Sequence, residues 1–374
     1  MPVEWLCAAY RFHFWRYIEI MLISAVAFII VFSAVVLVHE LGHFWMARRG
    51  DIVVQEFGLG YPPRLKTVAV RNGVEYTLNA IPVGGFVRLL GEEDPSHPGS
   101  FASKSAGVRL RTLLAGPVMN LLLAAALFMC AFMLGEQVVE GKVVVYSVAP
   151  NSPAEQAGIR AGDVILALEG QQIDNVVELV ELTHAFQGRE ISVSVLRGDE
   201  HLLVRLTPRV RPPEGEGAMG ITISMQEGYQ VKTVHHPPWE AAWLGVREVW
   251  VTILLTIAGF VQMFRGAISP KELTGPVGIF QISGMVAQTG LVNLIRFTGF
   301  LSVNLCILNL LPIPGLDGGR IALILLEKIR GGKRMAPQQE SLINFLGLVL
   351  IMAFMLIVSY FDILRISSGG ISLP

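Results

Sequence analysis

The stretch Phe28–Arg49, FIIVFSAVVLVHELGHFWMARR, places His39, Glu40 and His43 at the end of a long apolar run. Positions 20–38 hold 19 residues without a charge, enough to cross a bilayer core. Titratable side chains are costly at such a depth and need a compensating partner. The two histidines are spaced i and i+4, so on a helix they share one face and can bind one metal ion. The reading is a membrane-crossing helix with a half-built metal site at one end.

Composition agrees with that start. Of 374 residues, 52% are hydrophobic and only 16% charged, and the mean hydropathy is +0.55. These values predict a polytopic α-helical membrane protein. A net charge of −1 and the lack of a basic tract give no sign of nucleic-acid binding. The three cysteines, Cys7, Cys130 and Cys306, supply neither a disulfide framework nor a thiolate zinc site. Residues 1–17 read as an N-terminal extension with Arg11 and Arg16 ahead of the first span. The span ends in HELGH and not in a small-residue cleavage site, so it reads as retained.

Four transmembrane helices are expected, at 18–47, 112–135, 291–330 and 341–362. Another stretch, 249–264, has 16 uncharged residues. That length is marginal for a span, and Trp239, Trp243 and Trp250 favour an interface. It is expected to lie along the outer surface, within a linker of interfacial helices at 212–290. The 48–111 loop carries nine Lys/Arg against six acids, whereas 136–232 carries eight against fourteen. Basic bias therefore places 48–111 in the cytoplasm and the middle of the chain outside. With both termini outside, four crossings satisfy this count and five do not.

The middle region, 140–211, reads as one compact domain of strands and short helices, with a hairpin expected at Gly198-Asp199. Its Ser152–Ile165 segment, SPAEQAGIRAGDVI, closely resembles bacterial PDZ domains. Such a domain offers a sheet edge to an extended peptide or a C-terminal carboxylate. A size filter or spacer is the other reading.

A catalytic zinc site needs three protein ligands and an open position for water. The third ligand is sought at another membrane segment, and Asp317 in NLLPIPGLDGGR (309–320) is the candidate. Pro312, Pro314, Gly315, Gly318 and Gly319 break the span there, which is tolerated at membrane depth only where backbone is buried in protein or lines a cavity. The topology puts Asp317 at the cytoplasmic end, with His39 and His43. Glu40 is then the general base, and Asn309 the amide for the oxyanion. Asn120 and Asn304 read as interhelical hydrogen-bonders, with binding of the substrate backbone as the other reading. An edge strand at 75–80 or 83–90 could take up the amides of an unwound substrate, with Gly84 and Gly85 allowing close approach.

Together these residues resemble the site-2 protease family of zinc intramembrane proteases, and within it the bacterial RseP-type group. The resemblance rests on HELGH, on Asn309-x-x-Pro312-x-x-x-x-Asp317, and on FGLG (57–60). IPVGGFVRLLGE (81–92), GPVMN (116–120) and TGPVGI (274–279) extend it over nearly the whole chain. It implies one Zn2+ held by His39, His43 and Asp317, with Glu40 as base and Asn309 touching substrate. Gly84, Gly85 and Phe86 would lie in a membrane-associated β-hairpin that dips toward the site and pairs with substrate. The implied activity is an intramembrane endopeptidase in regulated intramembrane proteolysis. Its substrates would be single-span membrane proteins, either outward-trimmed anti-sigma factors or remnant signal peptides. The implied location is the bacterial inner membrane, with the PDZ domain outside and the active site near the cytoplasmic side. One PDZ domain stands where better-known members have two, so a tandem-domain gate does not carry over. The competing reading is a PDZ membrane scaffold with a structural or vestigial metal site. That reading needs a fourth protein ligand and leaves Glu40 without a task.

Overall fold

The apolar run before HELGH continues unbroken as helix α1, Val3–Arg49. The computed structural model describes residues 3–213, 215–225, 230–267 and 269–368. Two units emerge, one of Met1–Leu134 with His236–Pro374 and one of Gly135–His235. After α1 come β1 (Val54–Arg71), β2 (Val74–Leu89) and α2 (Ala106–Leu134). The second unit holds β3 (Glu136–Glu140), β4 (Val143–Val148), α3 (Pro153–Gln156), β5 (Val164–Leu168) and β6 (Gln171–Gln172). It continues with α4 (Val176–Ala185), β7 (Ile191–Arg197), β8 (Glu200–Leu206), β9 (Ile221–Met225) and β10 (Gln230–Val234). The first unit resumes with α5 (Pro238–Phe264), α6 (Pro276–Thr289), α7 (Leu291–Leu310), α8 (Asp317–Ile329) and α9 (Pro337–Ser367).

Strands β1 and β2 each fold back, so two long strands make four runs. Phe57 pairs with both Val87 and Tyr76, and Leu59 with both Gly85 and Leu78, while Lys66 pairs with Leu78 on the far side. The run 81–89 is therefore an edge, and 75–79 is interior because it is paired on both sides. Of the two edge candidates read from the sequence, only the 83–90 segment lacks a strand partner on one side among the described residues. Glu56 ties all four runs together: it pairs with Arg64 at 2.8 Å and Arg88 at 3.1 Å, and the Thr77 hydroxyl donates to it at 2.7 Å. Buried Ala47, Ile52, Val54, Val74, Leu113 and Ile324 join the sheet to α1, α2 and α8, so burial of apolar area fixes the sheet against the helices.

Among the described residues, five helices are long and apolar enough to cross a membrane: Ile20–Arg49, Ala106–Leu134, Pro238–Phe264, Leu291–Leu310 and Pro337–Ser367. That is one more than the four expected. The addition contains 249–264, which the sequence places along the outer surface. Its helix instead runs antiparallel to α2: His236 N donates to Phe132 O just before its start, Gly245 faces Ala125 and Met129, and Thr256 reaches Asn304 on α7 at 3.3 Å. Upstream residues 238–248 supplied the length that the charge-free window missed. Helix α6 runs the other way, antiparallel to α1, with Gly284 at Ser24 and Phe280 5.8 Å from Phe28. At about 1.5 Å per residue its 14 residues span about 21 Å. Helices α5 and α6 thus run in opposite directions. Asp362 of α9 anchors the start of α6 by accepting from the amides of Gly275 and Gly278 at 3.0 and 2.8 Å. The third predicted span, 291–330, is two helices broken at 311–316, where the proline–glycine run lies.

In the second unit the sheet order is β8-β7-β5-β4-β9, with β6 on β5. Alternating Val143, Val145, Val193 and Val195 fill its core with Ile165, Leu168 and Leu179. Arg197 pairs with Glu200 across the Gly198-Asp199 turn, as the sequence predicts. Ser152 caps α3 by accepting from Glu155 N at 3.1 Å. Asp163 is 1% exposed. Burial alone would raise its carboxyl, but hydrogen bonds from Arg197 and from the Arg160 amide hold it below the usual carboxylate range.

Candidate metal centre

Four elements of the first unit meet at HELGH. The last turns of α1 carry His39 and His43, one helical turn apart, so both rings leave the same face. The 311–316 break turns the chain so that α8 starts at Asp317, beside them. His39 Nε2 and His43 Nε2 are 3.0 Å apart, and Asp317 Oδ2 is 3.1 and 3.2 Å from them. All three side chains are buried or nearly so. Donors bonded tetrahedrally to zinc at 2.0–2.1 Å lie about 3.3 Å apart. The triangle fits a single ion, and Asp317 Oδ2 is buried with no conventional hydrogen bond.

The far side of each ring is also specified. His43 Nδ1 lies 2.9 Å from the Thr112 carbonyl, which can only accept, so Nδ1 carries the proton and Nε2 is left for a metal. His39 Nδ1 lies 3.3 Å from the Asn120 amide, whose oxygen has no partner. With that amide turned over, Nδ1–H donates to the oxygen and His39 also presents Nε2. Ser302 on α7 donates to Asn120 O at 2.8 Å and holds that turn of α2 in place. Gly116, one turn before Asn120, faces the imidazoles directly. A Cβ there would run into His43 Nε2 and His39 Cε1, so the GPVMN glycine makes room for the pair.

Glu40 points to the sheet, where its Oε2 accepts from Val87 N at 3.0 Å. Asn309, at the end of α7, brings Nδ2 to 3.3 Å from His39 Nε2. Gly84 has φ +68 and donates its amide to Ser33 Oγ at 3.1 Å. Gly84 and Gly85 press against Val36 and Leu37, so the close approach they permit here is between β2 and α1. Phe86 stacks on Tyr61 at 6.4 Å between ring centres, with Arg88 5.7 Å over its ring. Arg320, one turn into α8, pairs with Glu92 and ties the Asp317 helix to the end of the sheet.

The structure therefore brings His39, Glu40, His43, Asn309 and Asp317 together, with the Gly84–Phe86 run alongside on α1. The sequence reading of Asn120, an interhelical or substrate-binding amide, does not include a bond to His39, and nothing in it marks Thr112, Gly116 or Val87 individually. The GPVMN motif was the available signal for Gly116 and Asn120.

The chain is similar to known proteins in family, in sequence and in part of its structure. The family model for Peptidase family M50 matches residues 27–354. The zinc metalloprotease RasP of Oceanobacillus iheyensis is 29% identical over 92% of this chain and 99% of that protein. The regulator of sigma-W protease RasP of Bacillus subtilis is 28% identical over the same shares of each chain. Among solved structures, the PDZ domain of an SdrC-like protein from Listeria monocytogenes is 24% identical. That match covers 24% of this chain and 92% of the domain, with a TM-score of 0.21.

Proposed function

Because this chain belongs to peptidase family M50, the site-2 protease family, and is a zinc metalloprotease like its relatives, we propose that it cuts single-span membrane proteins within or next to their membrane segments. The observation that carries this reading is the buried triangle of His39, His43 and Asp317 at the end of an apolar helix. Zinc held there would polarise the scissile carbonyl and lower the pKa of a bound water. Glu40 takes a proton from the attacking water on its carboxylate and gives it to the leaving amine. The Val87 amide holds one Glu40 oxygen and leaves the other for that proton. Asn309 donates its amide to the oxyanion.

A membrane helix hides its amides in internal hydrogen bonds and must be unwound before hydrolysis. The 81–89 edge, with Gly84, Gly85 and Phe86, receives the unwound segment by strand addition. In the membrane, the chain crosses four times, with α5 and α6 entering and returning on one side. That arrangement keeps the basic 48–111 segment in the cytoplasm and the Gly135–His235 unit outside. The latter serves as the PDZ domain and takes a peptide or C-terminus. The class of substrate is an outward-trimmed anti-sigma factor or a remnant signal peptide. A closed structural site would need a fourth protein ligand, whereas the donor group among the described residues has three.

The test is zinc content and cleavage of a reporter with one outward-trimmed transmembrane helix, comparing wild type with Asp317→Asn. Both zinc affinity and cleavage are expected to fall together. Unchanged values of both would remove Asp317 from the ligand set.

A further inference from the structure

Helix α8 has Asp317 at one end and a second polar cluster at the other. There a cavity of about 20 Å³ is lined by Arg109, Glu327, Arg330, Lys333, Arg334 and Glu340. Arg109 is 5% exposed, and its Nη2 donates to Glu327 Oε2 at 2.7 Å. Its Nε is buried with no hydrogen-bond partner in the protein, an arrangement that native proteins avoid unless a water, ligand or ion completes it. Arg334 Nε donates to the other Glu327 oxygen at 3.0 Å, and its Nη atoms bond the Ala102 and Lys104 carbonyls. Both Glu327 oxygens are therefore engaged. Arg330 and Lys333 stand exposed at the mouth with no partner among the described residues. Four basic side chains face two acidic ones, and the cluster keeps a positive excess.

We propose that this cluster binds the phosphate of an anionic phospholipid headgroup. The cavity is large enough for one oxygen-sized group, so a single phosphate oxygen reaches Arg109 Nε while the rest sits between Arg330 and Lys333. Acyl chains have a surface beside it: Leu325, Leu326 and Ile329 of α8 are 46%, 42% and 82% exposed. Basic pockets at the cytoplasmic ends of membrane helices suit such headgroups. The bound group would clamp α2 to α8, the helices that carry Asn120 and Asp317. The inference rests on the membrane reading above, but its test uses no cleavage.

Full-length, delipidated protein in detergent is titrated with short-chain phosphatidylglycerol, phosphatidylcholine and inorganic phosphate, and bound ligand is counted by native mass spectrometry. Affinity for phosphatidylglycerol should fall about 25-fold in the double variant Arg330→Gln/Lys333→Gln, about fivefold for each charge. The control Arg48→Gln/Arg49→Gln, which removes two basic groups at the end of α1, should leave it unchanged. Equal binding by wild type and Arg330→Gln/Lys333→Gln overturns the proposal, as does equal loss in both double variants. Phosphatidylcholine or inorganic phosphate binding as tightly as phosphatidylglycerol overturns the assignment to an anionic lipid.

Discussion

The Val87 amide donates to Glu40 Oε2 at 3.0 Å, so the edge of the sheet and the carboxylate between His39 and His43 form one unit. That contact fixes which way the carboxylate faces, using a donor that no side-chain motif encodes.

Val87→Pro removes this donor alone. The amide points out of the ladder, where an edge strand accepts proline. A hydrogen bond to a charged group contributes about 1.5–3 kcal/mol, so kcat should fall roughly 10- to 100-fold with zinc content and KM little changed. Steady-state kinetics on a single-span reporter, with metal analysis alongside, reads both.

Asn120 orients His39 from behind, and such partners are worth about 10–100-fold in metal affinity. Asn120→Ala should weaken zinc binding by that factor in a competition titration against a chelator. Asn304→Ala, whose residue bonds Thr256 and a carbonyl of its own helix, should leave zinc affinity intact. Equal affinities in all three proteins would restrict Asn120 to helix packing.

Asp163 in the second unit gives a pH signature away from the metal. Its folded pKa is depressed, so the stability it contributes is present above the unfolded value near 4. That stability is lost as pH falls through the folded value. Amide protection of β5 and β7, corrected for intrinsic exchange, should therefore drop below about pH 4. Asp163→Asn should lower protection about 30-fold at neutral pH, about 2 kcal/mol, and flatten its dependence on acid.

The three donors were legible because their cost is legible: titratable groups at a membrane helix end demand a metal, and a metal demands a third ligand. Asp317 stood out since a proline–glycine break and a carboxylate coincide there. Asn120 and Gly116 were harder. Their places are set by the crossing of α1 and α2, and nothing local distinguishes an amide that bonds a helix from one that bonds an imidazole. The β-sheet edge was half legible, because a strand's partners on each side depend on how β1 and β2 fold back. Helix α5 was truncated in the reading, since Glu240, Arg247 and Glu248 interrupt the apolar window that the helix itself ignores.

The central claim is that Glu40 acts as the base at a metal held by other residues. Wild type and Glu40→Gln are compared for bound zinc and for cleavage of a reporter with one outward-trimmed transmembrane helix. The account predicts equal zinc in both proteins and a loss of cleavage of about 10²–10⁴-fold in Glu40→Gln. Equal cleavage by the two proteins would contradict it.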